Sequence, residues 1–375
     1  MVISFRRGRW IAGLLGLVAL LGAARLASID GLWAPIYVTG PSMAPTLWGP
    51  SRQVKCAACG VAIRVHEHPV NPFHQWMQCH NCGSLASPAE ADRLPPDRVL
   101  IDRAAYLWRA PRHGELIAIK TEKGPLQVKR IIGTPGDEIG LHNSELTING
   151  RRVEAVLPPQ QIPLMTVFDA AFPDLEGPRW RVSEDGQWSV YHHRSVHDEN
   201  RPGPIRDDYP ANTAVSRQLM PVAHKQLAGR ITAAEPVRIE VDIWLLDHWE
   251  RFRGRFPAGD LTWSVSSLAA EGLPETTHPD DRWRRIVFSS STEACKSPVS
   301  AETPIAMRVL QAQGEKQPSD ARLRDLLISR HFHWDVRRSD QHAWPATPFR
   351  LQARRYFVVG DNLPISVDSR AEPQG

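Results

Sequence analysis

Four of the five cysteines form two Cys-x-x-Cys-Gly motifs, and thiolates at this spacing bind metal ions. Cys56 and Cys59 make the first pair, Cys79 and Cys82 make the second, and nineteen residues separate the pairs. Two short loops that each present two thiolates suit one tetrahedral ion, which favours a structural zinc site. Two disulfides are the alternative in an oxidising compartment. We predict a small zinc-ribbon-like module at residues 51–95.

A serine and a lysine form a second candidate for chemistry. Ser42 lies between two prolines in VTGPSMAPTL, residues 38–47, and Lys129 lies in QVKRIIG, residues 127–133. A serine hydroxyl becomes a nucleophile when a nearby base takes its proton, and a lysine can be that base only if its pKa falls well below about 10.4. Burial among apolar side chains achieves this without a carboxylate partner. Strand alternation would send Lys129 to the same side as the apolar Ile131.

The N-terminus and the charge balance restrict where this chemistry takes place. The 375 residues include 45 Lys and Arg against 41 Asp and Glu, a bias too weak to indicate nucleic-acid binding. Arg6, Arg7 and Arg9 precede an uncharged, largely apolar run from Trp10 to Ala24. We predict a short membrane anchor at residues 1–30, with a cleaved secretory signal as the alternative. Either interpretation places the rest of the chain outside the cytoplasm.

The segments that must position these residues have mainly β character. Residues 98–150 contain several short strand patterns and a hairpin signal at Asn149-Gly150. VRIEVDIWLL, residues 237–246, alternates as a half-buried strand does, and RYFVVGDN, residues 355–362, contains a further strand. We predict a helix over SDARLRDLLISRHF, residues 319–332, with Ser319 as its N-cap.

Three motifs together resemble one protease family. They are PSMAPTL at 41–47, KRIIGTPGDEI at 129–139 and GDNLPISVDSR at 360–370. In order and in residues they are similar to the bacterial type I signal peptidases, which use a serine and a lysine, and the resemblance covers roughly residues 10–150 and 350–370. It implies an N-terminal transmembrane helix and an antiparallel β catalytic core formed by residues 31–50, 98–150 and 350–375. Residues 51–95 and the β-rich segment 151–349 are then insertions.

The family resemblance also assigns roles to individual residues. It implies that Ser42 attacks the scissile carbonyl, that Lys129 is the general base, and that the Ser366 hydroxyl orients Lys129. Asp368 and Arg370 are expected to pair beside the site. Gly40 occupies the position at which many members carry a serine that helps to bind the oxyanion, while other members also have glycine there. The chemistry itself requires no cofactor.

The function implied by the resemblance is that of a membrane-bound serine endopeptidase. It would remove signal peptides from exported precursor proteins on the extracytoplasmic side of the bacterial cytoplasmic membrane, with precursors and the lipid bilayer as partners and no nucleic acid. An inactive relative that uses its zinc ribbon to bind or scaffold envelope proteins is the main alternative. A cytoplasmic zinc-ribbon protein conflicts with the apolar N-terminus, and a Ser-His-Asp hydrolase would need a histidine motif that the fifteen histidines do not form.

Overall fold

The chain is described by a computed structural model that covers most of the sequence. The described residues are 5–26, 32–67, 76–87, 91–120, 125–142, 144–158, 161–174, 176–212, 218–268, 289–291, 297–312, 320–336 and 344–371.

The described secondary structure is mainly β, which confirms the predicted fold class. The helices are α1 (Phe5–Leu26) and α2 (Ala105–Trp108), together with one 3-10 turn at Val153–Ala155. The strands up to residue 148 are β1 (Trp33–Tyr37), β2 (Ser51–Lys55), β3 (Ala62–His66), β4 (Met77–Gln78), β5 (Leu85–Ala86), β6 (Asp92–Leu94), β7 (Arg98–Asp102), β8 (Leu116–Ile119), β9 (Gln127–Gly133), β10 (Glu138–His142) and β11 (Glu145–Ile148). Those that follow are β12 (Arg151–Arg152), β13 (Leu164–Asp169), β14 (Trp180–Val182), β15 (Ser189–Tyr191), β16 (Arg194–Ser195), β17 (Arg201–Pro202), β18 (Lys225–Ala233), β19 (Val237–Trp244), β20 (Trp249–Phe256), β21 (Gly259–Ser266), β22 (Ser289–Ser291), β23 (Ile305–Gln311), β24 (Arg322–His331), β25 (Phe349–Arg350) and β26 (Phe357–Val359).

The N-terminal helix α1 coincides with the apolar run of the sequence. Within the described part of the chain, no helix combines the length and the hydropathy that crossing a bilayer requires. The membrane anchor therefore stays a prediction.

The two sheets that contain the motif strands β9 and β10 are completed by strands from the end of the chain. β9 is the middle strand of the sheet β26-β9-β8, and β10 lies between β11 and β25 in the sheet β12-β11-β10-β25. β25 and β26 thus return to strands about 200 residues earlier and bring the GDN loop beside β9. The turn between β11 and β12 has positive φ at Asn149 and Gly150, 52° and 74°, which confirms the predicted hairpin.

The large segment between these strands contains two antiparallel sheets packed face to face. Their orders are β13-β24-β18-β21 and β14-β15-β23-β19-β20-β22, and one apolar cluster joins side chains of both. β19 forms as predicted, but it is not half-buried. Glu240 and Asp242 on its polar face are also buried, because arginines from β20 and β23 pair with them.

The predicted helix over residues 319–332 is wrong, because β24 occupies most of this range. β24 pairs with β13 on one side and β18 on the other. Asp325 has φ 53°, and the pairing with β18 shifts register between Ala228 and Arg230. Because of this bulge, the next inward side chain after Leu323 is that of Leu326, three residues later and not two. A spacing of three between apolar residues is also typical of one face of a helix. Ser319 lies outside the described residues.

Candidate active site

Lys129 projects from the centre of β9 into a buried position. The residue is 4% exposed. Its Nζ donates to Ser366 Oγ at 2.8 Å and to the carbonyl oxygen of Val367 at 2.8 Å. The Ser366 hydroxyl also hydrogen-bonds the Asp368 carboxylate. Residues 129 and 366, which are 237 positions apart in sequence, therefore lie in direct contact.

Burial controls the protonation of this lysine. Loss of hydration lowers the pKa of Lys129; the Asp368 carboxylate acts in the opposite direction, and the Arg370 guanidinium adds to the lowering. Asp368 and Arg370 form a two-point ion pair, Nε to Oδ1 at 2.8 Å and Nη2 to Oδ2 at 2.7 Å. Burial opposes the charge of Asp368, yet Arg370 and its hydrogen bonds hold the pKa of Asp368 below its usual range. The negative charge beside Lys129 is thus largely compensated.

A buried network fastens the segment that carries Ser42 to β9. Arg130, next to Lys129 in sequence, donates from Nε and Nη2 to the two carboxylate oxygens of Asp361, at 2.8 and 2.6 Å. The Thr46 hydroxyl donates to the same carboxylate at 2.5 Å. Asp361 is fully buried. One carboxylate therefore joins β9, the GDN loop and the PSMAPTL segment.

The backbone around Ser42 packs closely against the loop that contains Ser366. The Ser42 carbonyl oxygen accepts the Asn362 N–H at 2.9 Å, and Asn362 Nδ2 donates to the Pro41 carbonyl oxygen at 3.1 Å. A Cβ at Gly360 would collide with both Ser366 Oγ and the Ser42 carbonyl oxygen. Only glycine permits this approach, so Gly360 lets the Ser42 backbone and the Ser366 side chain meet.

Ser42 has the two free groups that an acyl-transfer nucleophile needs. The residue is half-buried, and no described residue hydrogen-bonds its hydroxyl or accepts its backbone N–H. Gly40, two residues earlier, is also half-buried, and a Cβ there would meet nothing within 4 Å. Glycine is not required sterically at that position. The Ser42 N–H is thus one donor available to an oxyanion.

The four predicted metal ligands converge in the small N-terminal module. The Sγ atoms of Cys56 and Cys82 lie 3.6 Å apart, as do those of Cys59 and Cys79, and all four lie within 4.8 Å of one another. These separations are too long for a disulfide, whose sulfurs lie about 2.05 Å apart. Sulfurs placed tetrahedrally about 2.3 Å from one zinc ion would be about 3.8 Å apart. The cluster therefore fits a metal ion and contains four free thiols.

The backbone of the module supports the same interpretation. Gly60 and Gly83, which follow the two cysteine pairs, have φ of 82° and 80°, a conformation that favours glycine. The turns direct backbone N–H groups at sulfur: Cys56 receives those of Ala58 and Cys59. Such N–H groups stabilise thiolates that bind a metal.

A second group of possible metal ligands, Glu145, His333 and Asp335, is less suited to an ion. Their ligand atoms lie within 4.8 Å of one another. Arg152 already pairs with Glu145 at 3.0 Å, however, and its positive charge would oppose a cation. We interpret this group as a structural ion-pair cluster.

Several residues that build the site were not identified from the sequence. Arg130, Thr46 and Asp361 form the network described above, and its one sequence signal is a second charged residue directly after Lys129 in an otherwise largely apolar strand. Asn212, which comes from the large insertion, exchanges two hydrogen bonds with Asn362. Nothing in the sequence around residue 212 indicates that contact.

Comparisons with known proteins cover the motif around Lys129. The family described as "Signal peptidase, peptidase S26" matches residues 81–185, a range that includes Lys129 but neither Ser42 nor Ser366. "Signal peptidase I U" of Bacillus subtilis (strain 168) is 38% identical over 73 residues, 19% of this chain and 37% of that relative. The chain thus matches little more than a third of the relative's length, and no solved structure matches. Over these residues the chain is similar to the signal peptidases of the S26 family.

Proposed function

We propose that the chain is a serine endopeptidase that removes signal peptides from exported precursor proteins, with Ser42 as nucleophile and Lys129 as general base. One observation carries this proposal. Among the described residues, the buried Lys129 amine donates to two acceptors, Ser366 Oγ and the Val367 carbonyl oxygen. Ser366 Oγ and the Ser42 carbonyl oxygen approach each other across Gly360, and no described residue hydrogen-bonds the Ser42 hydroxyl.

The number of acceptors favours a neutral amine at Lys129. A neutral lysine amine has two N–H donors and one lone pair, whereas the ammonium has three donors and no lone pair. Ser366 and Val367 use two donors, and the described residues offer no third acceptor. Because the Ser366 hydroxyl donates its hydrogen to the Asp368 carboxylate, a lone pair of Ser366 Oγ faces Lys129. The remaining lone pair of the amine is then available to a proton from Ser42.

The reaction follows from these positions. Ser42 Oγ attacks the scissile carbonyl carbon while Lys129 accepts the hydroxyl proton, and the carbonyl oxygen becomes an oxyanion that the Ser42 N–H stabilises. Lys129 returns the proton to the departing amine, and the peptide C–N bond breaks. Water then attacks the acyl-enzyme, with Lys129 again taking and returning a proton. The products are the mature protein and a signal peptide with a free carboxylate.

The proposal also places the chain on the extracytoplasmic side of the cytoplasmic membrane, in contact with the lipid bilayer. The register of β1 and β7 puts Trp33, Tyr37 and Leu100 on one face of their ribbon, and these side chains are 46%, 60% and 63% exposed. Trp108 at the end of α2 is 85% exposed. Tryptophan and tyrosine favour the boundary between lipid and water. This face supports contact with the surface in which a precursor's signal segment is held.

We also propose that the four cysteines bind zinc in a structural role. Four thiolates fill a tetrahedral ion and leave no position for substrate. The ion would hold together a module that has few strands and a small core, so it would contribute folding energy and not chemistry.

Precursor processing in lipid vesicles tests the proposal. The native chain should release a mature protein with one new N-terminus, which mass spectrometry identifies, and Ser42→Ala and Lys129→Ala should release none. Ser300→Ala and Lys120→Ala change exposed residues of the same types and should cleave normally. Cleavage by both site variants at the parent rate would refute the serine–lysine assignment. If the native chain itself binds precursors but cleaves none, the inactive, binding relative is the correct interpretation.

A further inference from the structure

The large insertion contributes a residue to the surroundings of Ser42. Asn212 lies at the end of a turn in which its N–H donates to the Tyr209 carbonyl oxygen at 2.9 Å. Its side-chain amide faces that of Asn362 in the GDN loop. Asn212 Nδ2 donates to Asn362 Oδ1 at 2.9 Å, and Asn362 Nδ2 donates to Asn212 Oδ1 at 2.8 Å. The two amides are thus paired in both directions.

Asn362 acts directly on the peptide units on both sides of the Ser42 Cα. Its backbone N–H holds the Ser42 carbonyl oxygen at 2.9 Å, and its Nδ2 holds the Pro41 carbonyl oxygen at 3.1 Å. The Pro41 carbonyl belongs to the same planar peptide unit as the Ser42 N–H. In a trans peptide the two groups point in opposite directions, so a bond that fixes one also aims the other. Asn362 therefore aims the N–H that faces the oxyanion.

The pairing with Asn212 determines which way the Asn362 amide is turned. A primary amide presents an oxygen on one side and two donors on the other. A rotation of half a turn would place Asn362 Oδ1 against the Pro41 carbonyl oxygen, where two acceptors repel. Asn212 opposes that rotation, because it would also bring like groups of the two amides together. The orientation that holds Pro41 is thus stabilised from the insertion.

The turn that carries Asn212 is itself held on two sides. The Ala211 carbonyl oxygen accepts the His66 N–H from the end of β3 at 3.1 Å, which connects the turn to the cysteine module. Tyr209 is buried, with its ring 5.9 Å from that of Phe332 and the Arg330 guanidinium 5.4 Å from its centre. The module and the insertion thus both support Asn212.

We propose that Asn212 is a positioning residue for the nucleophile: through Asn362 it fixes the Pro41–Ser42 peptide and so aims the Ser42 N–H at the developing oxyanion. This inference rests on the proposed function. Asn212 does not touch the reacting atoms, and its loss should weaken stabilisation of the transition state without changing substrate binding or the base.

Kinetics of Asn212→Ala on a purified precursor test the inference. We expect kcat to fall about tenfold, which corresponds to about 1.4 kcal/mol in the barrier. KM and the pH midpoint of the acidic limb of kcat/KM should not change. A peptide boronic acid with the residues that precede the cleavage site forms a tetrahedral adduct with a serine, so its affinity should fall by the same factor as kcat. Gln187→Ala removes an exposed amide elsewhere in the insertion and should alter none of these values.

A double-mutant cycle with Asn362→Ala separates positioning from a general structural effect. If Asn212 acts through Asn362, Asn212→Ala should cost almost nothing further when residue 362 is already alanine. If Asn212→Ala folds poorly, Asn212→Asp keeps the side-chain size and sets an oxygen against Asn362 Oδ1, and the same loss of kcat is expected. Unchanged kcat, a change confined to KM, or additive losses would each overturn the inference. Inactive Ser42→Ala and Lys129→Ala variants in the same assay would show that the proposed function itself stands.

Discussion

The carboxylate of Asp361 should determine both the stability of the chain and the placement of Ser42. It receives two hydrogen bonds from Arg130, at 2.8 and 2.6 Å, and one from the Thr46 hydroxyl. In Asp361→Asn one carboxylate oxygen becomes an NH2 group. Whichever way the amide turns, this group faces an N–H of Arg130, so a repulsive contact between donors replaces one hydrogen bond.

The size of the effect follows from burial. The side chains of Arg130 and Asp361 are 5% and 0% exposed, so the substitution leaves a guanidinium charge buried without its counterion. Breaking a buried ion pair by removing one partner costs about 3–5 kcal/mol. For a folded domain of a few hundred residues, this free-energy cost corresponds to a Tm lower by roughly 10 °C. The Thr46 hydroxyl also loses its bond to a charged carboxylate, and a displacement of about 1 Å at Ser42, four residues earlier, can cost up to about 100-fold in kcat.

Asp242 provides a closely matched control in the insertion. It accepts two bonds from the buried Arg251 at 2.7 and 2.8 Å and one from the Ser297 hydroxyl at 2.6 Å, which reproduces the surroundings of Asp361. Asp242→Asn should therefore lower Tm by a similar amount. At a temperature where both variants are folded by circular dichroism, Asp361→Asn should have a kcat at least tenfold below that of Asp242→Asn. Equal kcat values in the two variants would refute the idea that Asp361 positions Ser42.

The remaining predictions concern titration, metal and a second lysine. Lys129→Met should abolish cleavage. Burial lowers the lysine pKa, so the unfolded parent binds the proton more tightly than the folded parent, and in urea unfolding the stability of the parent relative to the variant should therefore rise with pH up to about pH 10. Burial raises the pKa of Glu154 from 4.5 to about 7, so between these pH values the folded parent holds a proton that the unfolded chain releases. The Tm of the parent should therefore fall as the pH rises from 4.5 to about 7, and Glu154→Gln should make that fall smaller. Elemental analysis should find one metal equivalent in the parent and none in Cys79→Ser, and the Tm of the variant should be lower. Lys225→Met should lower the free energy of unfolding by about 3 kcal/mol or more, since three buried carbonyl oxygens lose their donor, and kcat of the folded variant should equal that of the parent.

Local patterns located several of the strands, and they failed at β24, where the backbone departs from regular alternation. Alternation and the Asn-Gly turn are short-range signals, and they located β19 and the hairpin between β11 and β12. The sequence of β24 predicts a helix because the bulge at Asp325 changes the spacing between inward side chains from two residues to three. The sequence alone does not distinguish a bulged strand that is paired on both sides from one turn of a helical face.

The contacts that build the candidate site are the least accessible to sequence reasoning. Long motifs led to Lys129 and Ser366, although no periodicity connects residues so far apart. The Arg130–Asp361 pair is not predicted because alternation puts Arg130 on the face of β9 opposite Lys129, where an arginine is usually exposed, whereas both faces of β9 are covered here. Asn212 carries no motif at all, since its role depends on a packing contact with Asn362 that only the folded chain provides.

The two buried lysines of this chain show that burial alone does not make a general base. Lys225 is 2% exposed and burial lowers its pKa to about 7, but its Nζ donates to the carbonyl oxygens of Val222, Ala223 and Trp244 at 2.6, 3.0 and 2.7 Å. Three acceptors match the three protons of an ammonium, so they favour the charged form and leave no lone pair. Lys129 has two acceptors and compensated charges around it. The number of acceptors, more than the depth of burial, therefore separates a lysine that can accept the proton of a serine from one that holds the fold together.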